Sequence, residues 1–263
     1  MADSDHVTFT EGTFYQGHFD SRAYLKNYLT ASGECPKVLA FLLRCLHETF
    51  ASGNLKGKKL IEIGCGPTVY CLISASKYFE EMVMSDFTDC NRREVEMWLK
   101  NEEGCYDWRP VIQFVCDLEG RSRSPEEVEQ RMKQAVKQVL KCDVREKNPF
   151  HPLTMEPADC IVSSLCLEAA CKDQETYRRA LGSIAALIKP GGALVLIGVL
   201  NETFYLVGQH RFSCLVLSQS IIEEILRDLG FSIKQVNIQL TDGSEKEFYD
   251  AESFFHLVAH KTK

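Results

Sequence analysis

From Lys58 onward, short apolar runs rich in β-branched residues alternate with segments whose apolar positions recur at helical spacing. "KKLIEIG" reads as a fully buried strand, followed by "PTVYCLISASKYF" as a helix. "EEMVMSD" reads as the next strand, and "CNRREVEMWLKNEEG" as a helix stopped near Gly104. "ADCIVSSL" and "GGALVLIGVL" are further strands, separated by the helical "CKDQETYRRALGSIAALIK", which ends before Pro190. Ser124, Pro125 and Glu127 spell a capping box for "PEEVEQRMKQAV", which runs on into the strand "VKQVLKCDV". Ser220 with Glu223 predicts the start of "IIEEILRDLG", and Gly230 its stop. The tail "ESFFHLVAHK" reads as a last, antiparallel strand. Such alternation predicts an α/β fold, a doubly wound and mostly parallel sheet with ligands at the carboxyl ends of its strands.

Residues before Lys37 fit no sheet element, yet Phe14, Tyr15, Phe19, Tyr24 and Tyr28 crowd into them. They read as an aromatic cover over the sheet edge. With no linker or repeat, the chain of 263 residues is expected to be one domain, with residues 1–36 as a lid and 37–263 as the core.

Composition narrows the partners. The 37 acidic residues outweigh 30 basic ones, giving a formal charge of −7 that repels a polyphosphate, so no nucleic acid is expected. The N-terminus lacks the basic and apolar regions of a signal peptide, and no apolar run is long enough to span a bilayer. A cytoplasmic monomer without membrane partners is expected. The 12 cysteines include no CxxC pair, so they read as buried thiols rather than a disulfide framework or zinc site, and no metal is expected.

The chemistry concentrates at "IEIGCGPTVY". A strand ending in G-x-G before a helix lets a ligand approach bare backbone. The third glycine of a dinucleotide fingerprint is Val69 here, and Pro67 removes an amide that a diphosphate would use. Asp86 follows Gly64 by 22 positions, the spacing of a ribose-binding carboxylate. By itself the loop is equally a tight turn, with Asp86 capping the next helix. Together with "KPGGALVLIG" it points to S-adenosylmethionine, and Glu62 adds a carboxylate suited to that cofactor's cationic groups.

The blocks "LIEIGCGPTVY", "SDFTDCNRREVEMWLK", "YDWRPVIQFVCDLEG", "VKQVLKCDV", "ADCIVSSLCLEAACKD" and "KPGGALVLIGVL" resemble those of the small-amine methyltransferases: nicotinamide, indolethylamine and phenylethanolamine N-methyltransferases. The resemblance implies a Rossmann-like class I methyltransferase fold with an N-terminal helical cover. It implies S-adenosyl-L-methionine as methyl donor and S-adenosyl-L-homocysteine as product. By it, Gly64, Gly66 and Thr68 lie along the methionine portion and Tyr70 reaches its carboxylate. Asp86 binds the ribose, Asn91 lies near the adenosine, and Asp143 with Val144 meets the adenine amino edge. Tyr15, Tyr24 and Tyr28 close over both ligands, and Ser164 faces the amino acid moiety. Leu29 stands where two of the three groups have a further tyrosine.

For the acceptor, the resemblance implies Tyr24, Leu165, Glu168, Gly198, Glu202, Tyr205, Cys214 and Asp250. Glu168 and Glu202 match acidic positions of the phenylethanolamine enzymes, Gly198 replaces an aspartate of the nicotinamide enzymes, and Cys214 replaces a serine. An alkylamine arrives as an ammonium ion and needs carboxylates to bind it and take its proton. The pattern thus favours a small arylalkylamine as acceptor, with Glu168 and Glu202 as candidate catalytic acids. A pyridine such as nicotinamide, a thioether, or cofactor binding without turnover are the alternatives.

Overall fold

A computed structural model of the protein describes residues 8–29 and 35–262. Parts of the expected cover, residues 1–7 and 30–34, lie outside the described residues, as does residue 263. In chain order the elements are α1 (Gly12–His18), α2 (Ser21–Leu29), α3 (Lys37–Ala51), β1 (Gly57–Ile63), α4 (Leu72–Ala75), β2 (Phe79–Asp86), α5 (Asp89–Leu99), α6 (Arg109–Leu118), α7 (Pro125–Ala135) and β3 (Val136–Lys141). They continue with β4 (Ala158–Ser164), α8 (Leu167–Ala170), α9 (Gln174–Ala186), β5 (Ile188–Leu200), β6 (Phe204–Val207), β7 (His210–Ser213), α10 (Gln219–Asp228), β8 (Phe231–Leu240) and β9 (Ser253–Lys261).

Seven strands form one sheet in the order β3-β2-β1-β4-β5-β9-β8. The five from β3 to β5 are parallel, while β9 runs antiparallel to both β5 and β8, as the tail of the sequence suggests. The sheet is buried on both faces because successive side chains point oppositely. Leu60, Met82, Val162 and Val195 pack on the side of α3, α6 and α7. Ile61, Val83, Ile161 and Leu194 pack on the side of α9 and α10. Strand order reverses between β1 and β4, opening a crevice at their carboxyl ends.

Local chemistry explains most boundaries. The capping box before α7 is formed: Ser124 Oγ accepts from the Glu127 amide at 3.3 Å, and the Glu127 carboxylate accepts from the Ser124 amide at 2.9 Å. Helix α10 ends at Gly230, whose φ is 81°, as expected. Its start is Ser218 rather than Ser220: Ser218 is the residue in extended backbone, and its hydroxyl accepts from the Ile221 amide. Helix α5 stops well before Gly104 because Asn101 takes the left-handed position, φ 53°. The Glu102 amide then reaches back to the Met97 carbonyl at 2.9 Å.

The largest departure is "PTVYCLISASKYF", where only Leu72–Ala75 is α-helical. The rest descends through tight turns, and the Thr68 and Ser76 hydroxyls bond back to the Cys65 and Ile73 carbonyls, competing with a longer helix. Helices α3, α6 and α8, strand β8 and the β6–β7 hairpin are additional to the elements read from the sequence.

Helices α1 and α2 pack on the β6–β7 hairpin, with Phe19, Val207 and Phe212 at the centre of the contact, while Leu25 and Leu29 of α2 join the core on the α3 side. Tyr15 and Phe212 rings are 4.7 Å apart, and Thr10 and Ser213 exchange amide-to-hydroxyl bonds of 2.7 and 2.9 Å. The Tyr28 hydroxyl donates to the Leu206 carbonyl at 2.7 Å, fastening α2 to the same hairpin.

Candidate active site

The carboxyl ends of β1, β2, β3 and β4 open into one cavity, closed over by residues from α1 and α2. Its floor is the loop after β1, where Gly64 and Gly66 adopt φ of 71° and 58°. These left-handed positions turn backbone rather than side chain toward the cavity. Gly64 has a second reason to lack a Cβ: one placed there would lie 2.1 Å from Cys166 Sγ.

Asp86, at the end of β2, holds this floor. One carboxylate oxygen accepts the Gly66 amide at 2.8 Å. The other accepts the Thr88 amide (2.8 Å), the Thr88 hydroxyl (2.6 Å) and the Asn91 side-chain amide (3.0 Å). Asn91 in turn accepts from Ser21 Oγ at 2.7 Å, so the first turn of α2 is tied to the same network. Asp86 is thus the helix-end acceptor that the sequence offers as one of its two readings. Thr88 completes the carboxylate's ligation, and its sequence signal is a hydroxyl two residues after the strand-ending acid.

Asp143, Val144 and Arg145 line the cavity beyond the end of β3. Arg145 embraces the Asp143 carboxylate with Nε (2.9 Å) and Nη2 (2.7 Å), which fixes the orientation of that acid. Arg145 also lies over the Phe87 ring, 5.2 Å from its centroid. Neither Phe87 nor Arg145 stands out in the sequence alone. Toward the centre, the Tyr70 hydroxyl and Ser164 hydroxyl are 2.8 Å apart, bridging the first loop and the end of β4.

Another part of the cavity carries two buried carboxylates. Glu168, 5% exposed, sits in α8, and burial raises its pKa to about 7. The Val199 amide donates to its Oε1 at 3.3 Å. Glu202, 4% exposed, follows β5, and burial, with the negative charges of Glu168 and Asp250, raises its pKa to about 8. The Cys214 thiol donates to Glu202 at 2.7 Å. Tyr24, Tyr28, Tyr205, Tyr249 and Phe254 add aromatic walls, the last two absent from the sequence-based set. Leu165 lines the same region with a left-handed φ of 52°.

Of the predicted residues, Tyr15, Tyr24, Tyr28, Gly64, Gly66, Thr68, Tyr70, Asp86, Asn91, Asp143, Val144, Ser164, Leu165, Glu168, Glu202, Tyr205 and Cys214 all border this cavity, as does Leu29. Three other residues do not. Asp250 accepts the Thr203 and Phe204 amides at 2.8 and 3.2 Å and anchors that loop. Gly198 lies behind the wall, where a Cβ would fall 2.8 Å from Phe255 and 3.0 Å from Glu168 Oε1, so its absence makes room for the acid. Glu62 is buried within the sheet rather than facing the cavity, with the Cys71 thiol beside it and its pKa raised by burial to about 8.

A cavity with this floor and these carboxylates can be set beside known proteins. The sequence profile of the NNMT/PNMT/TEMT family matches residues 6–262. The chain belongs to this family. It is 41% identical to nicotinamide N-methyltransferase of Sus scrofa, over 96% of this chain and 97% of that protein. It is 45% identical to indolethylamine N-methyltransferase of Oryctolagus cuniculus, over 87% and 88% of the two chains. Phenylethanolamine N-methyltransferase of Sus scrofa is 39% identical, over 89% and 84%. Among solved structures, magnesium protoporphyrin IX methyltransferase from Synechocystis with bound SAH superposes with a TM-score of 0.58. That match, at 16% identity over 95% of this chain and 99% of the other, shows a shared fold.

The cavity fits this family's cofactor on its own geometry. The bare floor at Gly64 and Gly66 accepts a closely approaching chain, and Asp86 offers a buried acceptor beside it. Among the described residues, no helix is long and apolar enough to cross a membrane.

Proposed function

We propose that this member of the NNMT/PNMT/TEMT family methylates the nitrogen of a small amine that enters as an ammonium ion, an arylalkylamine by the character of its walls. The observation that carries the reading is the pair of buried acids, Glu168 and Glu202, held in an aromatic-lined end of the cavity. S-adenosylmethionine supplies an electrophilic methyl group on a sulfonium and leaves as S-adenosylhomocysteine. Gly64, Gly66, Thr68 and Tyr70 would hold its methionine end, with Ser164 alongside. Asp86 and Asn91 would hold the ribose side, and Asp143 with Val144 the adenine.

The chain's own contribution follows from acidity and orientation. An ammonium ion has no free lone pair, so a proton must leave the nitrogen before it can act as a nucleophile. Acids raised to about 7 and 8 stand near the working pH, where a base is most effective. The incoming positive charge favours their ionised forms, and either carboxylate can then receive a proton from the nitrogen. Tyr24 and Tyr205 give a flat acceptor faces to stack on, and the cation a favourable ring field. Helices α1 and α2 act as a cover that keeps water from the cavity. Positioning two bound molecules is enough to lower a barrier by roughly 7 to 11 kcal/mol.

A methyl-transfer assay across phenylethanolamine, tryptamine, nicotinamide and a simple thioether tests this. Turnover of the amines, reduced by Glu202→Gln much more than any turnover of nicotinamide, is expected. Equal losses on both acceptor types would remove the case for a cationic substrate.

A further inference from the structure

The short segment that leaves β7 is wired to both acceptor carboxylates at once. The Cys214 thiol donates to Glu202 Oε2 at 2.7 Å. The Cys214 amide donates to the carbonyl of Thr203, the residue after Glu202, at 2.8 Å. The Leu215 amide donates to the Glu168 carbonyl, also at 2.8 Å. Two consecutive residues therefore brace both acid-bearing segments, and one of them adds a side-chain donor aimed at an acid.

We infer that Cys214 is a positioning residue for amine acceptance: its thiol holds Glu202 in place and ready to take a proton. The inference rests on the ammonium reading above. A buried carboxylate with no donor is driven toward its neutral form or a different rotamer. A thiol is a weak donor, strong enough to fix an orientation and weak enough to give way to an ammonium N–H. Burial first, and then the nearby charges of Glu202 and Glu168, push the Cys214 thiol upward, so it stays protonated and remains a donor.

Among the described residues, the thiol is the side-chain donor bonded to Glu202, beside five further titratable groups. They are Glu168 on α8, Asp250 before β9, Tyr24 and Tyr28 on α2, and Tyr249. Burial and the two carboxylates raise the pKa of Glu202, while the thiol bond lowers it. Removing the thiol leaves the upward influences unopposed, and a serine hydroxyl restores a donor of the same kind.

The test compares wild type with Cys214→Ala and Cys214→Ser. The Glu202 titration is followed by carbon-13 NMR on carboxyl-labelled, S-adenosylhomocysteine-saturated protein, its signal assigned with Glu202→Gln. The pH dependence of kcat/KM for phenylethanolamine is measured alongside, and thermal unfolding with S-adenosylhomocysteine checks that each variant is folded. Cys214→Ala should move the Glu202 titration, and the acidic limb of kcat/KM, upward by about half to one pH unit. KM near pH 7 should rise about 3- to 10-fold, with kcat at alkaline pH retained. Cys214→Ser should return the limb to the wild-type position or below it. The inference is overturned if Glu202 titrates at one pH in all three proteins, or if serine and alanine displace it together. A shifted NMR titration in a protein that methylates no amine sinks the proposed function and leaves the positioning role standing. Amine turnover with an unmoved titration does the reverse.

Discussion

Asp86→Asn is the most economical probe of the cavity floor, because it preserves shape and removes the charge and one acceptor. The native carboxylate takes the Gly66 amide on one oxygen, and the Thr88 amide, Thr88 hydroxyl and Asn91 amide on the other. An asparagine that keeps its carbonyl toward Thr88 and Asn91 must turn its NH2 toward the Gly66 N–H, donor against donor. The flipped rotamer saves that one bond and faces the other donors with its NH2. A hydrogen bond to a charged acceptor contributes about 1.5 to 3 kcal/mol net, and the surviving bonds weaken as the charge goes. Destabilisation of about 2 to 3 kcal/mol follows, a fall in Tm of roughly 4 to 12 °C for a chain of this size. Freed from its anchor, the Gly66 turn should also bind S-adenosylhomocysteine at least about tenfold more weakly in calorimetry, near 1.4 kcal/mol. An unchanged Tm would refute the account of the floor. A lowered Tm with undiminished affinity would make Asp86 a brace without a part in cofactor binding.

The two loop glycines should separate cleanly: Gly64→Ala drives a Cβ into Cys166 Sγ at 2.1 Å, whereas a Cβ at Gly66 meets nothing within 4 Å. Thermal unfolding should show Gly64→Ala losing at least about 3 kcal/mol and Gly66→Ala only the 1 to 2 kcal/mol of a left-handed residue, roughly; similar losses at both sites would contradict the packing described. Glu62→Gln tests pH linkage. Its folded pKa of about 8 stands above the ordinary 4.5, so its burial costs nothing below about pH 4.5 and most above pH 8. Urea unfolding should therefore show the variant gaining about 3 kcal/mol on wild type between pH 5.5 and 8, and a pH-independent difference would dismiss the raised pKa of this buried acid.

The sheet was readable because its strands are buried on both faces and therefore appear as continuous apolar runs, as in "LIEI" and "ALVLIGVL". The turn-rich descent after Gly66 was not, since a wholly buried apolar stretch has no polar face to mark its periodicity. Helix starts were legible where a capping box was complete, at Ser124, and ambiguous where serines stood two apart, at Ser218 and Ser220. The acids at the carboxyl ends of strands were legible from spacing and family resemblance. Arg145, Tyr249 and Phe254 were not, because they reach the cavity through loop and strand geometry that leaves no local pattern. Gly198 and Asp250 show the opposite case: both stand behind the cavity wall, one vacating space for Glu168 and one tethering the loop beside Glu202.

The contact between Gly64 and Cys166 also sets limits on how this site can be redesigned. Residue 64 belongs to the loop after β1, and residue 166 to the segment that carries Glu168, so a single van der Waals boundary joins two sides of the cavity. Enlarging the side chain at 166 would press on the glycine loop. Directed evolution toward new amines should accordingly leave 64 and 166 untouched and find its gains at positions such as Ala169, Val199 and Tyr249, which border the cavity.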